Sequence, residues 1–229
     1  MIKFIKDILA PKKCYSCKKE WHFLCPKCLS KMYNFSDICY VCKKKSKYFS
    51  VHNECKKGIF YDNLIILTHY KNNTISKLIK DLKFYNRKDI LEDFWKYLWE
   101  ILLKNIFDKK ENFVIIPIPM NLFKKIFRWY NQSEILAEYI SKNTWIKIEK
   151  NLIKKIKNTR QQSKLNRQQR IKNLKNSFKL NKTVLDKLDK KTFIIVDDVV
   201  STWTTINTIS KILKQNWVKK VIGLTIASD

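Results

Sequence analysis

The sequence predicts an α/β protein in which helices cover both faces of a parallel sheet, with a small cysteine-rich module at the N-terminus. Buried strands and amphipathic helices alternate from about Tyr61 onward, an order typical of such sheets. All seven cysteines lie between positions 14 and 55. The 229 residues are 45% hydrophobic, which suffices for a sizeable core. We therefore expect a module over residues 1–58 and an α/β domain over residues 59–229.

The cysteines of the module occur in pairs separated by two residues, and a histidine completes the last pair. A tight turn of this kind lets both side chains of a pair reach one tetrahedral metal ion. The pairs therefore predict two zinc sites, one formed by Cys14, Cys17, Cys25 and Cys28 and the other by Cys39, Cys42, His52 and Cys55. Because four protein ligands leave no open coordination position, we expect both zinc ions to be structural.

A disulfide framework is the alternative interpretation of these cysteines, and it requires an oxidising compartment. The first ten residues carry Lys3, Lys6 and Asp7 within an apolar pattern, which is unlike a secretory signal. The longest uninterrupted apolar stretch covers residues 113–120, whereas a membrane span needs roughly 20 residues. We therefore expect a cytoplasmic protein without a membrane span. His52 could instead be a surface histidine, which would leave the second site with three ligands.

The α/β domain begins with two predicted helices, over residues 74–85 and 90–107, that have apolar side chains at helical spacing. The apolar run at 113–119 predicts a buried strand that ends at its prolines. A further helix is predicted over residues 130–141. The C-terminal part then predicts a strand, a helix and a strand, over residues 192–197, 204–215 and 218–227.

One junction between strand and helix carries an unusual set of polar residues. Asp197 and Asp198 follow directly on an aliphatic run, where adjacent carboxylates are costly unless they bind hydroxyls or cations. The next segment leads into a helix N-terminus, which favours phosphate, and its hydroxyls belong to Ser201, Thr202, Thr204 and Thr205. A strand followed by a capped helix is the plainer interpretation. It accounts for one threonine, but not for two acids and four hydroxyls.

This junction resembles the phosphoribosyl-pyrophosphate (PRPP) loop of type I phosphoribosyltransferases. Pro117-Ile118-Pro119 and Arg128-Trp129-Tyr130-Asn131-Gln132 are similar to the Pro-Val-Pro and Arg-Gly-Phe-Asn-Gln elements of the ComF family of competence proteins. Other matches to that family are the paired cysteines, Tyr70, Lys83, Phe84, Thr159, Gln162, Leu165, Arg170, Asn173 and Phe178. The resemblance covers essentially the whole chain. It implies a type I phosphoribosyltransferase-like sheet preceded by a double zinc ribbon.

The resemblance also implies a role for each part of the site. Asp197 and Asp198, the expected catalytic pair, would hold the ribose hydroxyls of PRPP, directly or through magnesium. The 5-phosphate would lie on the loop formed by Ser201, Thr202, Trp203, Thr204 and Thr205. The pyrophosphate side would consist of Pro117, Ile118, Pro119, Met120 and Arg128. Residues 159–173 resemble a mobile flap, with a solvated linker as the alternative, and Lys83 is expected within reach of a phosphate.

Trp203 and Trp129 stand where the family has glycine, the residue that lets a backbone approach phosphate or turn tightly. The chain has only two glycines, where average usage predicts about 16. The remaining tryptophans at turn-like positions are Trp21, Trp145 and Trp217. Some bacterial genetic codes read UGA as glycine, and we hypothesise that such codons were translated here as tryptophan. The alternative is a relative that has lost PRPP binding.

The formal net charge of +28 favours an anionic partner. Only five of the 48 basic residues are arginine, and such an excess of lysine is also typical of AT-rich genomes, so charge alone does not establish a nucleic-acid partner. Together the motifs predict a ComF-like protein that binds PRPP and magnesium and acts in DNA uptake.

Enzyme activity stays open, because we recognise no acceptor pocket in the sequence. One alternative is a non-catalytic sensor or scaffold for single-stranded DNA and competence-machinery proteins. A nucleotide-salvage phosphoribosyltransferase is a further alternative, although such an enzyme has no need of zinc ribbons.

Overall fold

The computed structural model describes residues 11–32, 37–85, 87–93, 112–120, 130–157, 174, 176–188, 191–200 and 204–228. Its strands are β1 (Asn63–His69), β2 (Phe113–Pro117), β3 (Ile153–Lys155), β4 (Phe178–Leu180), β5 (Thr192–Val200) and β6 (Lys220–Ser228). The central sheet has the order β1-β6-β5-β2, and each of its three pairings is parallel. β3 and β4 form a separate antiparallel pair. The predicted α/β fold is confirmed.

The helices are α1 (Pro26–Met32), α2 (Asn73–Phe84), α3 (Gln132–Thr144), α4 (Lys182–Asp186) and α5 (Thr204–Lys214), with single 3₁₀ turns at Lys47–Phe49 and Asn53–Cys55. Asn72 begins α2, because its side chain accepts hydrogen bonds from two backbone N–H groups of the first turn. Of the helix predicted over residues 90–107, only 90–93 are described. Among the helices of the described ranges, none is long and apolar enough to cross a bilayer.

Alternating side chains of β5 face the two sides of the sheet. Ile194 and Val196 belong to a buried cluster that includes apolar residues of α2 and α3. Phe193 and Ile195 belong to a second buried cluster, which includes residues of α5. Burial on both faces is what a central parallel strand requires, so helices cover both sides of this sheet.

The cysteine-rich module packs against both clusters. Its first half contributes Cys14 and Phe23 to the cluster of α2 and α3, and its second half contributes Cys39 to the cluster of α5. Polar contacts reinforce the first half: the Tyr15 hydroxyl donates to Asp81, and Asp93 accepts from the backbone N–H groups of Phe23 and Leu24. Folding of the module is therefore tied to folding of the sheet.

The strand boundaries differ from the sequence prediction, by three residues at the end of β5 and by one or two residues at the other differing ends. The strand expected over 113–119 ends at Pro117, and the strand expected over 192–197 continues to Val200. The longer strand results from pairing with β6, whose Ala227 and Ser228 lie beside Val199 and Val200.

Gly223 lies where β6 packs closely against its neighbours. A Cβ atom at this position would lie 2.6 Å from Leu64 Cδ1 and 3.0 Å from Ile206 Cγ2. We expect Gly223→Ala to lower the free energy of unfolding by about 1–3 kcal/mol, because the core would be overpacked. Urea unfolding would measure this change. Equal stability of the variant and the parent would show that the strand and α5 can move apart without cost.

Candidate functional site

The acidic pair lies inside β5, because this strand continues to Val200. The sequence prediction placed the pair at the end of the strand. β2 pairs with β5 only as far as Pro117 and Val196, so the two acids lie beyond the last residue of β2. Asp198 is 8% exposed, whereas Asp197 is half-buried. We expect carboxylates that bind a ligand to be partly accessible to solvent; Asp197 agrees with this expectation, whereas the burial of Asp198 contradicts it.

Each carboxylate of the pair has its own partners. Oδ1 of Asp197 accepts hydrogen bonds from the Ser133 hydroxyl at 2.9 Å and from the Asp198 backbone N–H at 3.0 Å. Oδ2 of Asp198 lies 3.1 Å from Nζ of Lys83, and its Oδ1 accepts from the backbone N–H of Val199 at 2.6 Å. The C-terminal turn of α2 and the N-terminus of α3 therefore meet at the pair.

Burial raises the pKa of Asp197 to about 7, and the nearby charge of Asp198 acts in the same direction. The hydrogen bond from Ser133 and the charge of Lys83 partly offset this increase. A carboxyl group in this state can donate or accept a proton near neutral pH.

The segment after β2 is attached to the acidic pair through Asn131. The backbone N–H of Ile118 donates to the carbonyl of Val196 at 3.0 Å, directly before the acids. Nδ2 of Asn131 donates to the Ile118 carbonyl at 2.9 Å, and Oδ1 of Asn131 accepts from the Ser133 backbone N–H at 3.1 Å. The structure thus places Pro117, Ile118 and Pro119 at the same edge of the sheet as Asp197 and Asp198.

Asn131 is 4% exposed, so loss of its side chain leaves buried groups without partners. We expect Asn131→Ala to lower the free energy of unfolding by about 1–3 kcal/mol, from the lost helix cap and the unpaired carbonyl. Asn131→Ser keeps a capping oxygen and loses the donor to Ile118 and Glu134, so its effect should be smaller. Thermal unfolding would measure both changes. If the two variants were equally destabilised, the contact with Ile118 would be the dominant one.

Several predicted site residues lie outside the described ranges. They are Arg128, Trp129, residues 159–173, Ser201, Thr202 and Trp203. Of the predicted phosphate loop, Thr204 is buried and Thr205 is half-buried, and α5 begins at Thr204. The helix start at Thr204 agrees with the sequence prediction, and it lies four residues after the end of β5.

The cysteines form two clusters, and in each the ligand atoms lie within 4.8 Å of one another. The first contains Cys14, Cys17, Cys25 and Cys28, and the second contains Cys39, Cys42, His52 and Cys55. Sγ of Cys17 is 3.6 Å from Sγ of Cys25, close to the ~3.8 Å edge of a tetrahedron with Zn–S bonds of about 2.3 Å. Each cluster could hold one zinc ion.

The two clusters are built in the same way. The N–H of the residue after the second cysteine donates to the carbonyl of the first cysteine at 2.8 Å, from Lys18 to Cys14 and from Lys43 to Cys39. Both lysines have positive φ angles. His52 directs Nδ1 towards Cys42 at 3.3 Å, and its Nε2 lies 3.1 Å from the carbonyl of Lys45. A carbonyl partner on one ring nitrogen fixes the other as a metal ligand.

No protein-family model matches the chain. A curated relative, Competence protein F from Haemophilus influenzae, is 30% identical over an alignment of 225 residues, and the match covers 91% of this chain and 93% of the relative. The chain belongs to the ComF family. The resemblance that the sequence motifs suggested is thereby confirmed.

The site of this ComF-family protein includes residues whose role the sequence did not show. Ser133 was not singled out, and Gln132 was named only as part of a motif. Nε2 of Gln132 donates to the Lys83 carbonyl at 3.2 Å, which joins α3 to the last turn of α2. Lys83 is one of very many lysines, so its sequence position alone carried little information. The sequence signal that could have indicated Ser133 is the segment Asn131-Gln132-Ser133, because an asparagine before a helical run commonly caps the helix. Ser133 is therefore expected in the first turn of α3.

The carboxylates of the ComF-family site have the chemistry that magnesium requires, since this ion binds carboxylate oxygens together with substrate phosphates. Within the described part of the chain, Oδ2 of Asp197 receives no hydrogen bond, whereas Oδ1 receives two. Among the described residues, this oxygen could accept a cation or a sugar hydroxyl. These carboxylates could hold a magnesium ion.

Proposed function

We propose that this ComF-family protein binds PRPP with magnesium at the carboxyl edge of β2 and β5, and that it acts in the cytoplasm in DNA uptake. The observation that supports the ligand most directly is the meeting of Asp197 and Asp198 with the Pro117 segment and the start of α3. Ligands of open parallel sheets bind at this edge. The name of the Haemophilus influenzae relative supports the role in competence.

In this proposal Asp197 and Asp198 hold the ribose hydroxyls, directly or through magnesium. Ser133 fixes one carboxylate by donating to it, so the pair is oriented before the ligand arrives. Residues 117–120 and Arg128 form the pyrophosphate side, and the segment from Ser201 to Thr205 holds the 5-phosphate at the start of α5. Magnesium, when bound, neutralises charge on the pyrophosphate group.

A thermal-shift experiment tests the ligand. Two proteins, the parent and a Trp129→Gly, Trp203→Gly variant, are heated with PRPP and magnesium, PRPP alone, ribose 5-phosphate with magnesium, or nucleobases. A ligand that binds only the folded protein raises Tm, and PRPP with magnesium should raise it most. If neither protein responds to millimolar PRPP, the proposal is wrong. If PRPP does raise Tm, pyrophosphate release with a candidate acceptor would separate an enzyme from a PRPP sensor.

Single-stranded DNA is a second candidate ligand, which the β3–β4 pair favours. Lys154 lies directly opposite Lys179, and both side chains are exposed. Like charges in this arrangement destabilise a sheet, unless an anion neutralises them.

A Lys154→Ala, Lys179→Ala protein should lose DNA affinity and part of its salt dependence. A Lys77→Ala, Lys80→Ala protein has the same charge and is the control. Equal losses in the two proteins would argue against the β3–β4 pair as the contact.

A further inference from the structure

Among the residues that the structure describes, Lys83 is the basic side chain that contacts the acidic pair. Its Nζ lies 3.1 Å from Asp198 Oδ2, and the exposed fractions of the two side chains are only 22% and 12%. The hydrogen bond from Gln132 to its backbone carbonyl holds the last turn of α2 against α3. The lysine is therefore directed at Asp198 from a fixed segment of backbone.

The position of Lys83 has an electrostatic consequence. Two adjacent carboxylates in a partly buried site repel each other, and a cation within hydrogen-bond distance reduces that repulsion. A divalent cation that approaches Asp198 on its own must displace the ammonium group. A cation that arrives with a diphosphate brings an anion that can accept the displaced ammonium group.

We propose that Lys83 takes the place of the divalent cation beside Asp198 in the ligand-free protein, and pairs with the pyrophosphate group when the metal and the sugar diphosphate bind together. This inference rests on the proposed function. It makes Lys83 a binding and positioning residue that disfavours metal binding without PRPP and favours binding of the complete ligand.

The inference predicts changes of opposite sign in one variant. Lys83→Met should bind Mn²⁺ alone more tightly, because the competing cation is gone. The same variant should bind PRPP with Mn²⁺ about tenfold more weakly or worse, the fold-change that one charge-assisted hydrogen bond supports. Lys83→Arg keeps the charge and should continue to disfavour Mn²⁺ alone. Lys80→Met, an exposed site on the same helix, is the control.

Electron paramagnetic resonance of free Mn²⁺ measures the first affinity, and calorimetric titration with PRPP and Mn²⁺ measures the second, on zinc-loaded full-length protein. Tm of each variant shows whether it is folded. Tighter Mn²⁺ binding by Lys83→Met supports the first part of the inference, that Lys83 takes the place of the cation beside Asp198, even if no protein binds PRPP. That outcome would overturn the proposed function and, with it, the pairing of Lys83 with pyrophosphate. Unchanged or weaker Mn²⁺ binding by a folded Lys83→Met overturns the inference, whatever the PRPP result.

A second inference concerns the tryptophans and rests on a different observation. Three of the seven tryptophans lie in the described ranges, and all three have left-handed backbone angles: Trp21 (φ 76°), Trp145 (φ 62°) and Trp217 (φ 67°). Their exposed fractions are 59%, 93% and 93%. Tryptophan is usually largely buried, and a bulky residue with positive φ is a conformational outlier.

The three positions have the local geometry of glycine. Trp145 follows the last residue of α3, and its N–H donates to the Ser141 carbonyl at 2.7 Å, as a C-terminal cap glycine does. Trp217 is in the turn after α5, where its N–H donates to the Lys214 carbonyl at 3.2 Å. Gly58, a true glycine, has the same backbone conformation, with φ 77°.

We infer that glycine occupies positions 21, 145 and 217 in the protein that its own cell makes, and that the corresponding codons are UGA. The backbone conformation supports this independently of the motifs around Trp129 and Trp203. The composition agrees, because two glycines in 229 residues are far too few.

Two measurements test this inference. Peptide mass spectrometry of the protein from its natural source should show glycine at the three positions, and tryptophan there would overturn the inference. In recombinant protein, Trp145→Gly should raise Tm by about 2–4 °C. Trp145→Ala should not raise it, because alanine shares the penalty for positive φ. Equal Tm values for the two variants would show that the conformation of position 145 does not require glycine.

Discussion

Removal of zinc is expected to be the largest single loss of stability in this protein. Structural zinc sites supply about 10–16 kcal/mol of binding free energy in small modules, and Cys14 and Cys39 lie in the two buried clusters that cover the sheet. We therefore expect a strong chelator to lower Tm by more than about 10 °C. Circular dichroism during titration with the chelator, followed by readdition of zinc, measures the change and its reversibility.

Metal analysis of matched variants assigns the ligands. The parent should contain two zinc ions, whereas Cys14→Ser and His52→Ala should each weaken one site. His69→Ala, an exposed histidine at the end of β1, is the control for His52→Ala. A parent with one zinc ion would remove His52 from the set of ligands, and a parent with none would refute the module.

The parts of the fold with strong sequence signals are those whose patterns are local. The cysteine spacing and the helical spacing of α2 and α5 depend on residues a few positions apart, and their predicted locations agree with the structure to within one or two residues. β1 had no separate prediction, because a short apolar run fits a strand or a buried helix equally well. Its pairing with β6 is a contact across 150 or more residues, which no local pattern contains.

The site divides in the same way. Asp197 and Asp198 are apparent from the sequence, because two acids after an aliphatic run are unusual. Lys83 and Ser133 contact them across 115 and 64 positions of the chain. The family resemblance places Lys83 within reach of a phosphate, but no local pattern shows either of these contacts. The tryptophans with left-handed backbone angles are partly apparent from the sequence and partly only from the structure. Composition alone shows that glycine is missing, but only the backbone shows that Trp145 and Trp217 have its conformation.

Asp197→Asn is expected to stabilise the ligand-free protein and to impair ligand binding. The pKa of Asp197 is about 7 in the folded protein against an ordinary value of 3.8. Between about pH 4 and pH 7 the folded state therefore holds a proton that the unfolded chain has released, and stability falls as the pH rises through this window. Asparagine has nearly the same shape and does not titrate, so its advantage over aspartate should grow with pH.

At pH 8, without added divalent cations, we expect Asp197→Asn to exceed the parent in unfolding free energy by about 1–3 kcal/mol, and at pH 5 by little. PRPP affinity with magnesium should change in the opposite direction, falling at least about tenfold, because a neutral amide is a weaker partner for a cation or hydroxyl. Asp186→Asn, at an exposed position, should alter neither quantity.

Urea unfolding across pH and calorimetric titration measure the two effects. A variant that is less stable at pH 8 would show that the Ser133 contact outweighs the burial of charge. Undiminished PRPP binding would instead show that the sugar lies elsewhere, because the variant would have lost a charge that the ligand does not contact. A carboxylate that lowers stability is expected only where a ligand needs it.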